Sequence, residues 1–114
     1  MSVKIYHNPR CSKSRQTLAM IREQGIDPEI VEYLNTPPTE AELSGILEML
    51  GIEPAALMRR GEAEYKEYIK GERLNRSEAI ALMVKYPKVI ERPIVINGDR
   101  AAVGRPPESV LEIL

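Results

Sequence analysis

Between Val3 and Tyr33 the hydrophobic period changes twice, and this switch constrains the fold of the chain more than any other feature. Val3-Lys4-Ile5-Tyr6 is a short β-branched and aromatic run, ended by the turn-like His7-Asn8-Pro9. From Ser12 to Gln24, Leu18 and Ile21 recur at helical spacing with Thr17 and Met20 beside them, and Gly25 supplies the stop. Glu29–Tyr33 then reads as a second strand. Strand, helix and strand in so short a span form a βαβ unit, which requires parallel strands and a right-handed crossover.

The rest of the chain builds on that unit. Thr39 and Glu42 form a capping box opening a helix with Leu43, Ile46, Leu47 and Leu50 on one face, closed by Gly51. Pro54 opens a short segment through Met58, and Tyr65, Tyr68 and Ile69 give a further helical stripe. Residues 76–86 make another helix, with Ile80, Met83 and Val84 inward, ended by Pro87. Ile94-Val95-Ile96 reads as a strand covered on both faces. Asn97-Gly98 predicts a type I′ hairpin returning through Ala101–Val103, before a terminal helix carrying Val110, Leu111 and Leu114. The pattern is βαβ, a helical middle, then ββα. It predicts an α/β class, a thioredoxin-like mixed sheet with a helical insert between its halves, as a single domain over 1–114.

Composition narrows the function. Sixteen Lys and Arg against 17 Asp and Glu give a net charge of −1, without the basic excess that a phosphate-backbone footprint requires. Five Tyr, no Phe and no Trp leave few platforms for stacking bases. No nucleic-acid partner is expected. No apolar run approaches the ~20 residues of a membrane span, and the start lacks the pattern of a signal peptide. A cytoplasmic protein with no membrane partner is expected. One Cys and one His are too few for a structural zinc site, which takes about four such ligands, so no metal is expected.

The single cysteine, Cys11, falls between the first strand and the first helix. Unpaired N–H groups and the helix dipole there favour a thiolate, and His7, Arg10, Lys13 and Arg15 stand around it as potential cations. A lone cysteine is otherwise a small buried hydrophobe, but these neighbours cannot all be buried with it. Ser14 occupies the second position of the Cys-x-x-Cys spacing, so any disulfide chemistry needs a thiol from another molecule. His7, four residues earlier across a turn, reads either as a structural or solvated histidine or as the group that holds the thiolate electrostatically, and Asn8 can equally hold the loop through Asx-type bonds. Three arginines at breaks between elements, Arg59, Arg92 and Arg105, suit tetrahedral oxyanions through paired hydrogen bonds and fixed charge.

The segment Tyr6-His7-Asn8-Pro9-Arg10-Cys11-Ser12-Lys13-Ser14-Arg15 resembles the active-site segment of the glutaredoxin-coupled arsenate reductase family. Tyr33-Leu34 with Pro37-Pro38, Ala56-Leu57-Met58-Arg59, Glu91-Arg92-Pro93-Ile94-Val95-Ile96 and Gly104-Arg105-Pro106-Pro107-Glu108 extend the resemblance along the chain. It implies a cis peptide at Arg92-Pro93, Cys11 as nucleophile, His7 assisting thiolate formation, and Arg59, Arg92 and Arg105 binding the oxyanion. Arg59 rather than the adjacent Arg60 matches the motif. The resemblance further implies arsenate or a similar oxyanion as substrate, glutathione as co-substrate, glutaredoxin as partner protein, and no bound cofactor. Spx-type transcription regulators, which bind RNA polymerase, share this fold. They typically carry the Cys-x-x-Cys pair that Ser14 breaks. A monothiol oxidoreductase acting on glutathione mixed disulfides is the other alternative, with the arginines on glutathione carboxylates.

Overall fold

The computed structural model describes residues 2–114. The chain up to Thr36 and the stretch Arg92–Leu114 form one compact unit; Pro37–Glu91 form a second.

The first unit is built on a four-stranded sheet of order β2-β1-β3-β4, from β1 (Val3–Tyr6), β2 (Glu29–Val31), β3 (Ile94–Asn97) and β4 (Arg100–Val103). β1 and β2 are parallel and joined by α1 (Ser12–Glu23), whereas β3 runs antiparallel to β1 and to β4. This is the mixed, thioredoxin-like sheet that the sequence pattern predicts. The alternation of strand side chains decides where its core lies. Val3, Ile5 and Val95 share one face and pack with Leu18 and Ile21 of α1 and with Val110 and Ile113 of the C-terminal segment. On the opposite face Tyr6 and Ile94 are buried, while Lys4 and Ile96 are half-covered.

Three local expectations are corrected. β2 stops at Val31 instead of reaching Tyr33, because β1 ends at Tyr6 and the last ladder bond runs from His7 N to Val31 O. The chain then turns, with Asn35 N and Thr36 N both donating to Glu32 O. In the hairpin, Asn97 pairs with Arg100, so the loop residues are Gly98 and Asp99. Gly98 has φ +64°, and among the described residues no non-glycine has positive φ, which excludes a type I′ turn. Asn97 is held inside the strand by its buried side chain, whose Nδ2 donates to Ile113 O at 2.6 Å. Finally, the C-terminal segment Pro107–Ile113 is a 3₁₀ helix, not an α-helix. Three residues per turn align Pro107, Val110 and Ile113 on the buried side and leave Leu111 exposed.

In the second unit, α2 (Glu40–Leu50) begins at the expected capping box, with reciprocal bonds of 3.1 and 2.8 Å between Thr39 and Glu42. Asn75 and Glu78 form a second box that opens α4 (Arg76–Lys85), which packs against α2 and buries Ala79, Ile80 and Met83. The short helix α3 (Ala63–Tyr68) buries none of its own residues; Tyr68 is exposed and stacks on Tyr86 at 4.5 Å, while Ile69 beyond it is buried. Leu57, Val89 and Ile90 complete this core, joined by a bridge between Met58 and Ile90. No helix among the described residues is long and apolar enough to cross a membrane.

The 3₁₀ spacing makes a prediction opposite to the α-helical one. Ile113→Ala should destabilise the protein by about 2–3 kcal/mol through a core cavity, and Leu111→Ala by less than about 0.5 kcal/mol. Urea denaturation of both variants tests this; equal losses would mean that the segment does not bury the predicted row.

Candidate active site

Cys11 owes its position to a turn that closes behind the first strand. Asn8 Oδ1 accepts from Arg10 N at 3.0 Å, and Cys11 N donates to Asn8 O at 3.0 Å. The chain is extended at Cys11 (φ −93°, ψ 123°) and helical from Ser12, so the cysteine is the N-cap residue of α1. Its carbonyl accepts the first helical bond, from Arg15 N, but its side chain makes no capping bond. A position usually filled by Ser, Asp or Asn is thus given to a sulfur beside the positive end of the helix. Arg15 fastens the turn from below by donating Nη1 to Pro9 O at 2.8 Å.

His7 and Ser14 lock the other side of this turn. Ser14 is fully buried on α1; its hydroxyl oxygen lies 2.6 Å from His7 Nδ1 and accepts the Asn8 N–H at 3.0 Å. Burial, opposed by Glu32 and reinforced by Arg22 and Arg15, lowers the His7 pKa. The ring is therefore uncharged at neutral pH, and its Nδ1 shares a hydrogen bond with the Ser14 hydroxyl. The structure pairs His7 with Ser14, seven residues away along the chain, rather than giving it as a cation to the sulfur.

Arg105 reaches the sulfur from the far end of the unit's sequence. Its Nη2 lies 3.6 Å from Cys11 Sγ, and its Nε donates to Arg92 O at 2.8 Å. One edge of the guanidinium is thus fixed by a backbone carbonyl while another meets the cysteine sulfur. The placement depends on Gly104, whose N–H donates to Pro93 O at 2.9 Å. A Cβ at Gly104 would stand 2.6 Å from Thr17 Oγ1 and 2.7 Å from Pro93 Cγ, so only glycine permits this approach. The Arg92-Pro93 bond is cis as the resemblance implies, and Arg105-Pro106 is cis as well.

Of the five residues singled out in the sequence, Cys11 and Arg105 touch, Arg92 joins them through its carbonyl, and His7 braces the cysteine loop. Arg59 belongs to the second unit, where its guanidinium holds the carboxylates of Glu62 at 2.9 Å and Glu91 at 3.6 Å. Ser14 and Gly104 were not read as site residues. Ser14 carried a signal, as a small polar residue in register with the apolar stripe of Thr17, Leu18 and Ile21. Among the described residues no group of three or more His, Cys, Asp or Glu could hold a metal.

Known proteins resemble the chain throughout its length. The ArsC family model matches residues 6–113. The uncharacterized protein YfgD of Escherichia coli strain K12 is 51% identical over 98% of this chain and 96% of its own. An arsenate reductase of Haemophilus influenzae is 47% identical with both chains covered in full. The solved structure of an arsenate reductase from Vibrio cholerae superposes with a TM-score of 0.95 at 51% identity, covering 100% of this chain and 98% of that one.

Two measurements test the geometry. In an NMR titration His7 should titrate below the ordinary value of about 6.5. Because the folded ring binds its proton more weakly than the unfolded one, its contribution to stability is complete above about 6.5 and is lost as pH falls through the lowered value. Wild type should lose more stability than His7→Gln over that window; parallel losses would exclude the buried neutral ring. Gly104→Ala should destabilise the fold by about 1–3 kcal/mol through overpacking against Thr17 and Pro93, read from urea midpoints.

Proposed function

Because the chain belongs to the ArsC family, we propose that it reduces arsenate to arsenite through the single thiolate of Cys11, with glutathione and glutaredoxin as external reductants. The observation that carries this reading is the Arg105 guanidinium 3.6 Å from a sulfur at a helix N-terminus. That arrangement brings an anion-binding fork to a nucleophile, the pairing that attack on an oxyanion requires.

In this reading the Cys11 thiolate attacks arsenic(V), a sulfur–arsenic bond forms, and a protonated oxygen leaves as water. Arg105 receives the charge of the remaining oxygens, with Arg92 beside it as the residue whose carbonyl anchors its guanidinium. Glutathione thiolate then attacks Cys11 sulfur. A sulfur–sulfur bond forms, and the pair of the breaking sulfur–arsenic bond stays on arsenic, which becomes arsenic(III). Glutaredoxin thiolate attacks the glutathionyl sulfur, and Cys11 leaves as the thiolate. His7 assists by keeping Ser14 and the Asn8 turn in place around the cysteine, in its uncharged form. Cys11 is the only cysteine in the chain, so the second sulfur has to come from outside.

Intact-mass spectrometry after incubation with arsenate and glutathione, without glutaredoxin, should show one glutathione on wild type and none on Cys11→Ser. Many turnovers with thioredoxin alone, and never a glutathione adduct, would contradict the coupling. Arg105→Ala should lower kcat/KM for arsenate about a hundredfold, as removal of an oxyanion donor does elsewhere, with circular dichroism confirming the fold. Unchanged kinetics would remove the arginine from the reaction.

A further inference from the structure

A groove of about 650 Å³ lies along α1 beside the cysteine loop. It is lined by His7 and Pro9 from the cysteine loop and by Arg15, Leu18, Ala19, Arg22 and Glu23 along α1. Cys11, Arg15, Leu18 and Arg22 stand at i, i+4, i+7 and i+11, so the groove continues the helical row that the cysteine begins. Its charge is also distinctive. The first 22 residues hold five Lys or Arg and no acid in a chain of net charge −1, and Glu23 is the first carboxylate.

An arginine and a glutamate side by side at the end of a cationic groove match a group bearing a carboxylate and an ammonium on one carbon. That is the free amino-acid head of a γ-glutamyl peptide. The distance fits as well. Eleven residues of helix put Arg22 about 16 Å from Cys11 along the axis. From the cysteinyl sulfur to the α-carboxylate the extended γ-glutamyl arm spans eight bonds, about 10 Å, and the arginine side chain, leaning toward the helix N-terminus, covers the remainder. We propose that this groove seats the γ-glutamyl arm of glutathione, with Arg22 holding its α-carboxylate, Glu23 its ammonium, and the thiol at the Cys11 end. The proposal rests on the thiol-dependent reduction put forward above and assigns the place where that thiol docks.

S-Methylglutathione binds without exchanging sulfur, so it separates docking from chemistry. NMR titration of the full chain with this probe should perturb amides from Arg15 to Glu23. Arg22→Glu should weaken binding about fivefold and Glu23→Gln about twofold, the scale of exposed ion pairs. S-Methylcysteinylglycine, which lacks the γ-glutamyl head, should bind wild type and Arg22→Glu alike. No binding to wild type, shifts confined to another surface, or equal affinity of wild type and Arg22→Glu for S-methylglutathione would overturn the assignment. Arsenite production by wild type with glutathione and glutaredoxin is assayed in parallel. Arsenite formed without groove binding rejects only the groove, whereas groove binding without arsenite rejects the proposed reaction.

Discussion

The approach of Gly104 to Thr17 and Pro93 is the constraint on which the site depends. Glycine lets the strand exit from β4 close onto α1 and onto the residue that opens β3. Arg105, next along the chain, therefore arrives at Cys11 with its backbone already fixed. Its side chain loses less freedom on meeting the sulfur than one carried by a mobile loop, because Nε is anchored on Arg92 O. The same closure draws the turn before Pro107 inward, where the 3₁₀ row of Pro107, Val110 and Ile113 covers the sheet. Core and site thus share one contact.

Around the cysteine, the distribution of charge follows from burial. His7 has little exposure and cannot hold a proton cheaply near neutrality, so positive charge at the sulfur comes from Arg105 and from the helix end. Attraction for an anion at this site consequently does not depend on the titration of the one histidine. The histidine serves geometry instead, since the Ser14 hydroxyl it holds is also the acceptor for Asn8 N.

The order of elements was legible because it depends on local signals: β-branched runs, two changes of period, and the Thr39 capping box. The three misreadings arose where a tertiary contact overrode a local preference. Asn97-Gly98 is a strong turn pair, yet Asn97 stays in the strand because its amide reaches Ile113 O. Leu111 is as apolar as Val110, but a 3₁₀ turn carries it to the outside. Cys11 and Arg105 were legible as chemistry through residue type and position, though 94 positions apart. Gly104 was not, because its role is a missing Cβ, which sequence shows only as one more glycine.

Ser14 shows how the two levels meet. In sequence it reads as the absent partner of a Cys-x-x-Cys pair; in the structure it is a fully buried hydroxyl with two hydrogen-bonded neighbours. A cysteine there would offer a weak donor and a weak acceptor to the same two groups, leaving Asn8 N and His7 Nδ1 poorly satisfied in a buried place. Freeing position 14 to attack Cys11 would also break the brace that holds the loop. A hydroxyl at this position therefore fixes the cysteine turn and excludes an internal disulfide through the same atom. A loop built in this way is rigid behind its cysteine, in a chain that has no second thiol to pair with it.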